Sequence, residues 1–62
     1  MTAVEIIRCR NRKPIVIGPD GRAYLCGAVF LAHMVARQLG VDPAPQRWVD
    51  ERAYRALKAR AE

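Results

Sequence analysis

The sequence predicts an α+β fold, a short three-stranded antiparallel β-meander followed by two α-helices in the order βββαα. Three observations lead there. β-Branched residues cluster in short runs ahead of Gly27, at Val4-Glu5-Ile6-Ile7-Arg8-Cys9 and Ile15-Val16-Ile17. Gly18-Pro19-Asp20-Gly21 sits between apolar runs as a turn signal. Beyond Gly27 the apolar residues fall at helical rather than strand spacing. With 62 residues the chain holds one domain, 1–62, of a size that hides only about 60% of its unfolded surface.

The first strand is expected over Val4–Cys9, and Asn11-Arg12-Lys13-Pro14 as the turn after it, because Pro14 restrains Lys13 to extended geometry. Ile15–Ile17 is a wholly apolar second strand. In the turn that follows, Pro19 presets the first corner, Asp20 tolerates the second and Gly21 takes the position beyond. Arg22-Ala23-Tyr24-Leu25-Cys26 returns as the third strand.

Ala28 to Leu39 is the first helix, and only His33, Arg37 and Gln38 interrupt its apolar residues. A helix apolar nearly all round requires cover nearly all round, which one small sheet does not supply. Gly40 ends it. The second helix is expected from Gln46 to about Arg60, with Asp42 or a neighbour as its cap and Pro45 in its first turn. Val49, Ala53, Ala56 and Leu57 form a thin apolar stripe on it, and Glu51 stands one turn before Arg55.

Charge carries most of the functional information. Net charge is +5, and nine of the eleven cations are Arg, which binds phosphate and carboxylate through a planar fork. Arg8-Cys9-Arg10-Asn11-Arg12-Lys13 places four cations in six residues with no acid. If that stretch is extended, Arg8, Arg10 and Arg12 share a face in steps of roughly 6–7 Å. With Lys13, Arg22, Arg47 and Arg55 they are the candidate contacts to nucleic acid or to an acidic protein. Val29, Phe30, His33, Met34, Arg37, Trp48 and Tyr54 are the candidate oligomer or partner interface, and a homodimer is expected because a second copy would extend a scant core.

Catalysis, cofactors and metals find little support, and the chain is expected not to be an enzyme. There is no serine, and the lone histidine, His33, lies on the polar strip of the first helix. The acids are scattered among turns and a solvated face. Cys9, Cys26 and His33 match no common zinc spacing, and nothing recommends a small-molecule substrate. In a meander the two cysteines stand about 9–10 Å apart across the middle strand, beyond the roughly 7 Å reach of a bridge, unless the outer strands pair directly. Two small buried thiols are the expectation. No leader is expected at Met1-Thr2-Ala3-Val4-Glu5, and Ala28–Ala32 is too short an apolar run to span a membrane, so a cytoplasmic protein is expected.

Val35-Ala36-Arg37-Gln38-Leu39-Gly40-Val41-Asp42-Pro43 resembles the first helix and turn of helix-turn-helix DNA-binding domains, with Ala36, Gly40 and Val41 at the close-packing positions. Arg47-Trp48-Val49 is similar to the middle of a recognition helix, and the likeness covers about fifteen residues. It implies DNA binding, with Pro43, Ala44, Gln46, Arg47 and Asp50 facing the major groove. The chain departs from the pattern at Gln46, where an apolar residue is usual, and at Pro45. Two functions follow as expectations. One is a small nucleic-acid-binding regulator that touches phosphates through its Arg-rich strand and turn. The other is an interaction module, of the kind made by phages and mobile elements, that docks on and inhibits a larger acidic protein.

Overall fold

The computed structural model describes residues 4–61. Met1–Ala3, where no leader is expected, and Glu62 lie outside them. Six elements run in the order β1 (Glu5–Arg8), β2 (Ile15–Ile17), β3 (Ala23–Leu25), α1 (Val29–Gln38), β4 (Gln46–Trp48) and α2 (Glu51–Ala61). β1 pairs antiparallel with β2, and β2 with β3. The predicted βββαα meander is corrected at the next element: β4 lies parallel to β1, giving one mixed sheet in the order β3-β2-β1-β4.

The physical reason lies in Val41–Pro45. Pro43 and Pro45 hold their predecessors extended, so no helix starts there. The edge of β1 also needs partners for its backbone. Ile6 N–H donates to Pro45 O (2.8 Å) and Val49 N–H donates to Arg8 O (2.9 Å). Pro45 needs no donor of its own to join at the start of an edge strand. Helix α2 consequently begins at Glu51 instead of Gln46, capped by Asp50, whose Oδ1 accepts Ala53 N–H at 2.8 Å.

The sheet is covered on both faces. Val4, Ile6, Val16 and Cys26 meet Ala32 and Ala36 of α1, while Ile7, Cys9, Ile15 and Ala23 meet Tyr54 of α2. That explains the unbroken Ile6-Ile7 and Ile15-Val16 pairs, since neighbours on a strand sheathed on both sides are all buried. Cys9 and Cys26 are free, buried thiols beneath different helices. Burial also raises the Cys26 pKa.

Helix α1 is not covered all round. Its seam is the small pair Ala32 and Ala36, fully buried, with Val35 and Leu39 packed beside them. Phe30, Leu31 and Met34 remain 65%, 38% and 52% exposed. Gly40 closes the helix at φ 97°, with Gly40 N–H on Arg37 O and Val41 N–H on Ala36 O, both 3.0 Å. That closure returns Val41 to the core under α1.

The helix pair implied by the helix-turn-helix resemblance is not formed. α1 and α2 occupy opposite faces of the sheet, and Gln46-Arg47-Trp48 is strand. No helix among the described residues is long and apolar enough to cross a membrane.

Candidate nucleic-acid interface

The Arg-rich segment does not present a row. β1 ends at Arg8, and Arg12 N–H closes a turn on Cys9 O (3.1 Å) with Asn11 at φ 60°. Extended alternation therefore stops at Arg8, and the expected shared face of Arg8, Arg10 and Arg12 is corrected. Arg8 points to the α1 side, as Ile6 does. The turn delivers Arg12 to the other side, where its guanidinium pairs with Glu51 at the start of α2. That hydrogen bond, then the charge of Arg12, then that of Arg55, hold the Glu51 carboxyl below the usual carboxylate range, and the same bond raises Arg12.

Arg8 is the centre of a polar ladder. Its guanidinium lies 4.8 Å from the Trp48 ring centroid, a cation–π distance. Its Nη1 donates to Gln46 Oε1 at 2.8 Å, and Gln46 Nε2 lies 3.4 Å from His33 Nε2. Among the described residues Arg8 Nε is buried without a hydrogen-bond partner. The parallel register places Gln46 beside Ile6 and Trp48 beside Arg8, which brings both β4 side chains to the α1 side. The three β4 residues are all exposed, and Trp48 is 63% exposed. One face of the indole is thus occupied by a cation and the rest of the ring is open to solvent.

Immediately beyond Trp48, a hollow of about 500 Å³ opens among Cys9, Arg10, Asn11, Arg12, Val49, Asp50 and Glu51. Arg10 is the cation in it without a carboxylate partner among the described residues. A ring open for stacking and an unpaired cation therefore stand at the carboxyl ends of the parallel strands β1 and β4, and the polar ladder runs back from there through Gln46 to His33.

The other expected contacts disperse. Arg22 pairs with Asp20 (3.4 Å) at the β2–β3 turn, at the opposite end of the sheet from Arg8. Arg47 pairs with Glu5 (3.0 Å), and Arg55 with Glu51 (3.6 Å). Arg37 lies 3.8 Å from Asp42. Lys13 is exposed beside Arg12, and Val29 is half-buried. Phe30, His33, Met34 and Arg37 follow one outer strip of α1. Tyr54, expected at a partner interface, is corrected to core: it is 4% exposed, and its hydroxyl donates to Lys13 O at 2.8 Å. Burial raises the Tyr54 pKa, and the charge of Arg12 opposes that rise.

Gln46 is the site residue that sequence reasoning assigns only to a groove-facing helix. Its link to Arg8 spans 38 positions and exists only because β4 pairs with β1. No local signal in the sequence marks it. No cluster of three or more metal-ligating side chains occurs among the described residues. Compared with protein-family models, curated proteins and solved structures, the chain matches none.

Proposed function

We propose that this chain is a small nucleic-acid-binding regulator whose contact surface is the Trp48–Arg8–Gln46–His33 ladder together with the Arg10 turn. The observation that carries the reading is the Arg8–Trp48 stack on an exposed edge strand. An exposed indole backed by a guanidinium offers a π-face to a base, and base–aromatic stacking contributes about 1–3 kcal/mol per base. Bases are open to such stacking in single strands, not within a duplex, so the reading favours single-stranded DNA or RNA. Gln46 and His33 lie alongside as hydrogen-bonding groups for a base edge, and Arg10 supplies charge for the backbone.

Trp48 is the single tryptophan of the chain, so its fluorescence reports on this surface alone. Titration with a mixed-sequence single-stranded oligonucleotide should quench it, and the matching duplex should quench it less. Binding should weaken with salt at about 0.7 logarithmic units per phosphate contact. Unchanged fluorescence, together with no retention on heparin at low salt, would sink the reading.

A second reading is favoured by Phe30, Leu31 and Met34, whose exposed apolar side chains on α1 suit protein contact. It takes the chain as a homodimer or as an inhibitor docked on an acidic protein. Sedimentation at micromolar concentration tests the homodimer: a monomer unaffected by Phe30→Ser removes it. Capture of a protein that survives nuclease treatment and is lost in Phe30→Ser would support docking.

A further inference from the structure

We infer that the chain carries a second anion site, on the α2 side of the sheet, in which Lys13 and Lys58 hold one phosphate group between them. The inference rests on the nucleic-acid reading for the source of that phosphate, a phosphodiester of the bound strand.

The site is a hollow of about 300 Å³ walled by Asn11, Arg12, Lys13, Leu25, Tyr54 and Lys58. Three cations meet there, and only one of them is neutralised. Each described carboxylate is already engaged: Glu5 with Arg47, Asp20 with Arg22, Asp42 with Arg37, Glu51 with Arg12 and Arg55, and Asp50 with the first turn of α2. Lys13 and Lys58 are left without a carboxylate partner among the described residues. Lys13 and Lys58 both line the hollow, and an anion seated there is attracted to both charges. Lysine serves as a compact point charge, which suits a tetrahedral phosphate from any side.

The walls are fixed before any ligand arrives. The Tyr54 hydroxyl holds the Lys13 carbonyl at 2.8 Å. Glu51 holds Arg12, and Asn11 sets the turn at φ 60°. Tyr54 and Lys58 both come from α2, so the turn and the helix form one frame. A site whose backbone is already ordered loses less freedom on binding. Leu25, 42% exposed, adds an apolar wall against which a sugar can rest. Arg10 lines the neighbouring hollow, which shares Asn11 and Arg12 with this one, and a bound strand would run from one to the other round the turn.

The test uses the full chain and inorganic pyrophosphate, followed by amide NMR at low ionic strength. Saturable shifts should be confined to residues 11–13, 25 and the neighbourhood of 58. They should weaken at least tenfold in a Lys13→Gln, Lys58→Gln double variant and persist in Trp48→Ala. For a single-stranded oligonucleotide, the double variant should still quench Trp48. Its salt slope should fall by about 0.7, the share of the one phosphate the two lysines hold. Absence of saturable shifts, or shifts indifferent to the double variant, overturns the inference. So does an unchanged salt slope with oligonucleotide binding intact, which would leave the nucleic-acid reading standing. Saturable pyrophosphate shifts with no oligonucleotide response would do the reverse, upholding the phosphate site and removing the proposed function.

Discussion

The two helices lie on one sheet and solve the same problem in opposite ways. α1 is apolar on most of its surface, yet it buries chiefly two alanines, Ala32 and Ala36. α2 is rich in charge and buries one large side chain, Tyr54. Small residues let the α1 backbone lie close against Ile6 and Val16, so its larger apolar residues are lifted outward. On the other face, the Tyr54 ring packs over Ile7 and Ile15, with Leu57 and Ala61 of α2 beside it. Apolar composition therefore does not measure burial; the size of the residues on the facing stripe does.

Substitutions along the two seams can break that comparison. Tyr54→Ala should cost most, about 3–5 kcal/mol as for other core aromatics. It also orphans the Lys13 carbonyl, and in a domain this small urea denaturation should show little residual folded state. Tyr54→Phe isolates the hydroxyl and should cost about 1 kcal/mol. Ala32→Leu should cost about 1–3 kcal/mol by forcing α1 off the sheet. If it were neutral, the close-approach account of α1 would be wrong.

Asp50→Ala should cost about 1 kcal/mol through loss of the α2 cap, with Asp50→Asn retaining most of it. Phe30→Ser, on the outer strip of α1, should change thermal stability by under about 0.5 kcal/mol. The smallest effect belongs to the Arg12–Glu51 pair. The Glu51 pKa is lowered from its ordinary value of 4.5, so its contribution is present above that value and is lost as pH falls through the lower folded value. Glu51→Gln should remove that part of the acid dependence of stability, measured by unfolding as pH falls below 4.5, and leave the rest.

Much of this architecture was legible locally. The β2–β3 hairpin followed from Gly18-Pro19-Asp20-Gly21, and the structure closes it with Gly18 N–H on Arg22 O (2.8 Å). The end of α1 followed from Gly40 in the same way. The candidate site was far less legible. Arg8 was visible as one of a run of cations, and Trp48 as an aromatic on a supposed helix. Their stacking depends on a contact 40 positions long in sequence that no periodicity announces. The expected Arg row does not form because β1 ends at Arg8 and the turn beyond it no longer alternates its side chains.

The sequence by itself determined the first three strands, the turn between the second and third, the stop of α1 and the surplus of positive charge. Those depend on neighbours in the chain: β-branched runs, a Pro-Asp-Gly turn, a glycine able to take positive φ. Only the tertiary structure decided that Gln46–Trp48 would be a strand, which helix would cover which face, and which cations would be left unpaired. A short segment following two prolines has no strong preference of its own, and the unfilled backbone of the β1 edge, a partner distant in sequence, settled its conformation.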